Sequence, residues 1–424
     1  MSTVTLIGAG SAEFTPQLVS DLLQGGCVDL EVRLMDFDRQ RLEAAEALVR
    51  AWAEWFGQNV RVSAHTELKE ALEGTHYAVN TVLVGGREAV RRDFRVLDKF
   101  GIRQTVGDTL GVAGVMRAVR TVPAVLEMVR VMEEVAPEAV FLNYTNPMSM
   151  IMMAIDQMSS VEHYGLCHSV QATVETVAEY LEVPQDELEW SSAGINHMAW
   201  MLSLGHKGED LYPRLWEKSR DPHIWQQDPV RFELMKMFGK FVTESSKHNA
   251  EYTAYFIAHD SEVEKMGIPL NEYLTRPVHP IPASSEAELL EPSGEYAPLF
   301  ILHREQKTPW TFQGNVANHG LIANLPASAS VEVPCHMENG QVRPESMGSL
   351  PLPLAALNRQ AINLQELAVW GIMHRGRDAI YQAAALDPQA AGRLTLDAIR
   401  LLVDELLETN ESMIPPMPRP WRMA

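Results

Sequence analysis

The chain has 424 residues, 46% of them hydrophobic and 21% charged, and a formal net charge of -21. That is enough apolar material for a sizeable core divided between two domains, while so acidic a chain, with no Lys/Arg-rich run, offers no track for a nucleic-acid backbone. No basic leader precedes Val4-Thr5-Leu6-Ile7, and no stretch of roughly eighteen uncharged apolar residues follows, which argues against a signal peptide or a membrane span. Three scattered cysteines, Cys27, Cys167 and Cys335, are too few for a disulfide framework and suit a reducing compartment. The expectation is a cytoplasmic enzyme without nucleic-acid or membrane partners.

In chain order, residues 4–7 read as a buried strand, Gly8-Ala9-Gly10-Ser11 as the turn that leaves it, and 15–23 as the helix beyond. A second strand over 31–35 ends at Asp36, the distance at which a dinucleotide-binding fold places its ribose-binding carboxylate. The glycine pattern lacks its third member, with Glu13 standing there. Alone it is a weak match; the flanking strand, helix and Asp36 turn the balance toward cofactor binding, and the amides that face a pyrophosphate at a helix N-terminus are retained. Gly8, Gly10, Ser11 and Asp36 are therefore cofactor candidates, and Asn80, on the strand expected at 77–82, joins them.

Helix 39–56, strand 60–62, a short acidic helix at 67–72, helix 116–134 and strand 139–142 continue the alternation. It implies a parallel sheet with ligands at the carboxyl ends of its strands, where Asn143-Tyr144-Thr145-Asn146-Pro147 would emerge. From about residue 191 the pattern changes to mixed strands, Pro-rich loops and long helices at 354–370 and 394–409. The expected fold is α/β: a Rossmann-type domain over 1–190, then an α+β substrate domain of lactate/malate dehydrogenase-like type over 191–424. The looser stretch 276–298 reads as an exposed loop or lid.

Two segments carry the chemistry: Gly165-Leu166-Cys167-His168-Ser169-Val170 and Gly194-Ile195-Asn196-His197. Taken singly, a buried thiol and a hydrogen-bonded core histidine are the ordinary readings. Both segments, however, follow apolar runs, begin with glycine and place the polar residue where a strand opens into a cleft. A thiolate and an imidazole there can hold a divalent metal, zinc as readily as manganese on ligand type alone.

These residues resemble glycoside hydrolase family 4, the NAD- and manganese-dependent glycosidases. The resemblance runs over nearly the whole chain, through Gly8-Ala9-Gly10-Ser11, Val84-Gly85-Gly86, Asp108-Thr109-Leu110-Gly111, Asn143-Tyr144-Thr145-Asn146-Pro147, the Cys167 and His197 segments, Glu251-Tyr252-Thr253-Ala254-Tyr255-Phe256, Asn324-Leu325-Pro326 and Val331-Glu332-Val333-Pro334. It implies that NAD+ takes hydride from C3 of a sugar, that the ketone acidifies the C2 proton, and that a tyrosine removes it. The C1 substituent then leaves by elimination, water adds and the hydride returns, for net hydrolysis. A divalent ion held by Cys167 and His197, with sugar O2 and O3, would stabilise the developing charge. By motif position the base falls on Tyr252, with Tyr255 second, and Asn146 contacts the sugar. Asp108 is either a binder of sugar hydroxyls or a turn and capping aspartate. A phenol is a poor base at neutral pH without a nearby cation.

The resemblance also bears on substrate. Branches acting on 6-phosphorylated sugars carry Asp or Asn directly after the metal cysteine; here the residue is His168, and the Cys-His-Ser-Val form resembles the α-galactosidase branch. The expected substrate is an unphosphorylated α-galactoside such as melibiose, with His168 either the proton donor to the leaving oxygen or a structural neighbour of the metal. Branches acting on α-glucosides or hexuronides keep the Cys-His pair. Family habit implies a homodimer or tetramer. The rival from another class, a 2-hydroxy-acid dehydrogenase, predicts net NADH production and leaves the Cys167 and His197 segments idle.

Overall fold

A computed structural model describes residues 2–25, 29–56, 60–277, 280–282 and 291–418. Cys27 lies outside these, as do 278–279 and 283–290 of the expected lid. The end of that stretch is not loop: the helix Tyr296–Gln306 begins inside it and buries Tyr296, Ala297, Pro298, Phe300 and Ile301.

The strands are β1 (Ser2–Ile7), β2 (Leu30–Met35), β3 (Val60–His65), β4 (Tyr77–Asn80), β5 (Val140–Asn143), β6 (Glu162–Leu166), β7 (Glu189–Ile195), β8 (Met198–His206), β9 (Glu209–Asp210), β10 (Phe241–Val242), β11 (Trp310–Ala317), β12 (Ser330–Glu338) and β13 (Gln341–Pro344). Six of them pair in parallel in the order β3-β2-β1-β4-β5-β6, the dinucleotide-fold arrangement. β1, β4 and β5 are buried almost throughout, because helices cover both faces of a parallel sheet; such strands read as apolar runs rather than as alternation.

The helix Arg39–Phe56 forms where expected, since Leu42, Ala45, Leu48, Val49, Trp52 and Ala53 recur at helical spacing and turn one stripe inward. The helix Gly111–Val135 starts five residues ahead of its expected limit, and its first turns are buried all round. Helices Gly86–Lys99, Met148–Met158 and Ser169–Leu181 add to the expected elements.

Beyond β6 the sheet does not stop. β11 pairs antiparallel with β6, and β12, β7, β8 and β10 follow in antiparallel order, so one sheet runs from the glycine turn to the second half of the chain. The second half also packs against the first: Leu364, Ala368, Val369 and Ile372 of the helix Leu352–Met373 share a core with Val112, Val115, Met116 and Val119. Each buried Leu, Ile, Val or Met side chain there contributes up to about 1.5–3 kcal/mol. Among the described residues no helix is long and apolar enough to cross a membrane.

Candidate active site

The carboxyl ends of β1, β2, β4, β5 and β6 lie along one edge and release the candidate residues there. After β1 the chain turns at Gly8, whose φ is +87° and whose missing Cβ would sit 3.0 Å from Val82 N and 3.1 Å from Thr81 C. Only glycine accepts both that dihedral and that approach. Gly10 donates its N–H to Asp36 Oδ2 at 2.8 Å, and a Cβ on it would lie 2.7 Å from that oxygen. Asp36 Oδ1 accepts from Asp38 N at 2.9 Å, so the carboxylate at the end of β2 braces the turn. Ser11 Oγ accepts from Phe14 N at 3.1 Å, at the start of the helix Phe14–Gln24. Asn80 is fully buried and ties the ends of β4 and β5, donating to Asn143 Oδ1 at 2.8 Å. The glycine turn packs too closely on Thr81, Val82, Asp36 and Arg41 to admit a Cβ, and it leads into the N-terminus of the helix Phe14–Gln24, whose first amides fit a pyrophosphate.

Cys167 follows β6, and His197 occupies the two-residue turn between β7 and β8 with φ +62°. They are thirty residues apart in sequence, yet Cys167 Sγ lies 3.3 Å from His197 Nε2, both side chains buried. On the other side of the ring, His197 Nδ1 lies 2.9 Å from Tyr252 Oη and 3.0 Å from Thr109 Oγ1. Thr109 donates to Asp108 Oδ1 at 2.8 Å, and Asn146 Nδ2 donates to Asp108 Oδ2 at 2.9 Å. The structure thus gathers Cys167, His197, Tyr252 and Asp108 into one buried cluster, with the half-buried Asn146 at its edge. His168 stands at its rim, more than half exposed, with Nδ1 3.5 Å from Glu295 Oε1. Tyr255 is half exposed and packs on Phe238, away from the cluster's hydrogen bonds.

The electrostatics favour a cation among these groups. Burial, with Glu332 adding, pushes the Cys167 thiol up to about 12. Burial and then the Asp108, Glu251 and Glu244 charges raise Tyr252 well above its ordinary value. Both become anions here only beside a positive charge. Glu244 is the converse: burial opposes its charge, but His197 and His248 hold its carboxyl well below the usual range. The Glu295 carboxylate raises His168 to about 9, so it keeps its proton at neutral pH.

Sequence reading missed several neighbours. Glu244 Oε2 lies 3.7 Å from His197 Nε2, on the Cys167 side, at a strained φ of +74°. His248 Nδ1 lies 2.8 Å from Glu244 Oε1, and Asp108, His197 and His248 bring ligand atoms within 4.8 Å of one another. A soft thiolate, imidazoles and carboxylates in one buried volume form a donor set that fits a divalent ion. Glu251 accepts from Thr105 N at 2.8 Å, Val106 N at 3.2 Å and Gly107 N at 2.9 Å, fixing the segment that carries Asp108 and Thr109. His248 lies one helical turn before Tyr252 in Ser246–Tyr252, a spacing that marks a shared face. Glu244 lies in a loop and carries no periodic signal.

Fold and site together describe an α/β protein of nucleotide-binding type with a thiol–imidazole–phenol cluster at its crevice. Family models for the family 4 glycosyl hydrolases match residues 3–183, and for their C-terminal domain residues 192–390. An alpha-galactosidase of Bacillus subtilis (strain 168) is 38% identical over 429 residues, covering 98% of this chain and 99% of that protein. An alpha-galactosidase of Rhizobium meliloti (strain 1021) is 30% identical, over 97% of this chain and 89% of its own length. The solved structure of a 6-phospho-alpha-glucosidase from gut microorganisms, in complex with NAD and Mn2+, superposes with a TM-score of 0.81 at 19% identity, covering 98% of this chain and 100% of that one. The chain belongs to the family 4 glycosyl hydrolases.

Proposed function

We propose that the protein hydrolyses unphosphorylated α-galactosides, and that Cys167, His197 and Tyr252 form the heart of its catalytic site. The observation that carries this is the 3.3 Å approach of Cys167 Sγ to His197 Nε2 with the Tyr252 phenol 2.9 Å from the far side of the same ring. The substrate reading is supported by His168 directly after Cys167 and by two relatives named alpha-galactosidase, at 38% and 30% identity.

When bound, NAD+ would supply reversible oxidation at sugar C3, which acidifies the C2 proton, and a divalent ion such as Mn2+ would supply Lewis acidity toward the oxidised sugar. Gly8, Gly10, Ser11 and Asp36 cradle the dinucleotide, with Asn80 holding β4 and β5 in register beneath it. Cys167 and His197 hold the ion. Tyr252 takes the C2 proton; its buried, acidic surroundings keep it a phenol until a cation is near, so the base is armed only in the loaded site. His168, protonated beside Glu295, gives its proton to the leaving oxygen at C1. Asn146 and Asp108 border the sugar and fix its hydroxyls.

The test is hydrolysis of nitrophenyl α-galactoside, α-glucoside, α-galacturonide and the 6-phosphorylated analogues, with Mn2+, NAD+ and a reductant. The α-galactoside should turn over fastest, with no net NADH. Preference for a phosphorylated or uronic sugar would overturn the substrate reading, and turnover that survives removal of both NAD+ and metal would overturn the mechanism.

A further inference from the structure

We propose that Glu244 is a third protein ligand of the divalent ion, its Oε2 sharing the Nε2 side of His197 with Cys167 and turning a donor pair that suits zinc toward manganese. This rests on the reading of Cys167 and His197 as ligands.

The two ring nitrogens of His197 face different company. Nδ1 has the Tyr252 and Thr109 oxygens at 2.9 and 3.0 Å, both at hydrogen-bond distance. Nε2 has Cys167 Sγ at 3.3 Å and Glu244 Oε2 at 3.7 Å. The Glu244 separation is too long for a hydrogen bond, yet it is a natural spacing for two atoms bound to one ion. With bonds of about 2.1 Å to nitrogen and oxygen and about 2.3 Å to sulfur, the 3.3 Å gap subtends about 100° at the ion and the 3.7 Å gap about 120°. Both are angles between neighbouring ligands of a single centre.

The carboxylate is braced for this. Its other oxygen, Oε1, lies 2.8 Å from His248 Nδ1 and accepts from Ser245 Oγ at 3.2 Å, which turns Oε2 toward His197. The Glu244 N–H donates to Thr173 Oγ1 at 3.1 Å, Arg231 Nη1 donates to the same oxygen at 3.2 Å, and Thr173 passes its own hydrogen to Ser169 O at 2.7 Å. Ser169 opens the helix Ser169–Leu181 directly after Cys167-His168, so thiol and carboxylate are tied to one rigid element. Glu244 also sits at φ +74°, a conformation that costs a side-chain-bearing residue about 1–3 kcal/mol and persists where the surroundings over-determine it. Here those surroundings aim an oxygen at Nε2.

A third donor of this kind changes what the site prefers. Thiolate and imidazole suit zinc, whereas carboxylate oxygen suits manganese. Thiolate and carboxylate together also match the ion's double charge, so it is held before a sugar arrives.

Mn2+ titrations of the full chain followed by electron paramagnetic resonance, with NAD+ and without sugar, test this. Glu244→Gln keeps the shape and removes the charge; Glu244→Gly suits φ +74° and removes the oxygen. Both should lower Mn2+ affinity by no less than the loss of an outer partner does, about 10- to 100-fold, with NAD+ affinity unchanged. Zn2+ affinity, measured by competition, should fall less, so the Mn2+ to Zn2+ affinity ratio drops. Water-proton relaxation should count more exchangeable water on Mn2+ bound to Glu244→Gly than to the wild type. Wild-type Mn2+ affinity in either variant, an unchanged affinity ratio, or an unchanged water count would each overturn the proposal; a residue that only shapes its loop moves neither of the last two. If Glu244→Gly does not fold, the isosteric Glu244→Gln still decides through affinity and ratio. Cys167→Ser separates the two levels: if it loses Mn2+ while the Glu244 variants do not, only the third-ligand proposal fails; if it binds Mn2+ like the wild type, the ligand reading beneath it fails as well.

Discussion

Glu251→Gln should damage both stability and catalysis, although Glu251 need not touch substrate. Its carboxylate collects Thr105 N, Val106 N and Gly107 N at 2.8, 3.2 and 2.9 Å in a buried setting. A glutamine keeps one oxygen and turns an NH2 toward the remaining donors, leaving one or two buried N–H groups without an acceptor. At about 1–3 kcal/mol for each orphaned donor, the variant should lose about 1–6 kcal/mol. The 105–107 segment leads into Asp108 and Thr109, so its relaxation moves groups that touch His197 and Asn146. A misplacement near 1 Å costs roughly 100-fold in rate. Urea unfolding gives the first number, and kcat on nitrophenyl α-galactoside at saturating Mn2+ and NAD+ gives the second. A Glu251→Gln protein as stable and as active as the parent would refute the claim that this carboxylate builds the site.

Gly10→Ala should weaken NAD+ binding, because the new Cβ would meet Asp36 Oδ2 at 2.7 Å and Arg41 Cβ at 2.8 Å and the turn must shift; isothermal titration with NAD+ checks it, and unchanged affinity would remove the glycine turn from the cofactor site. Chelation should abolish hydrolysis reversibly, and Cys167→Ser should do so irreversibly while still binding NAD+; an active Cys167→Ser would take the thiol out of the site. A pH effect on stability follows from Asp387, which caps the helix Pro388–Arg393 through Ala390 N and is pushed up to about 6 by burial. Its folded pKa exceeds the unfolded one, so the folded state binds the extra proton between about pH 4 and 6. Stability from this group is present below pH 4 and is lost as pH rises through 6, by about 3 kcal/mol. Compared by urea unfolding from pH 4 to 7, wild type should lose that much relative to Asp387→Asn; a pH-independent difference would contradict it.

The parts of the fold that were legible are those with local cause. The Gly8 turn, Asp36 after β2 and the stripe from Leu42 to Ala53 each follow from a few neighbouring residues. Cys167 and His197 stood out because each ends an apolar segment that opens with glycine, although nothing local says that the end of the sixth strand and a hairpin turn meet at 3.3 Å. That meeting depends on β11 and β12 inserting between β6 and β7, a pairing of residues more than 100 positions apart. Glu244 was illegible for the same reason: it is a loop residue at φ +74° whose relation to His197 exists only in three dimensions. The 276–298 stretch misled in part because its Pro, Ser and Glu content hid the start of the helix Tyr296–Gln306, whose buried face begins at Tyr296 itself.

Proton exchange at sugar C2 tests the central claim most directly. With wild-type enzyme, NAD+ and Mn2+ in heavy water, the galactose released from an α-galactoside should carry deuterium at C2, read by NMR or mass spectrometry. Tyr252→Phe should lose about 100- to 10,000-fold in rate, as expected when a positioned base is removed. Galactose released by wild type with its original C2 hydrogen fully retained, together with a Tyr252→Phe variant of near-normal rate, would contradict the account.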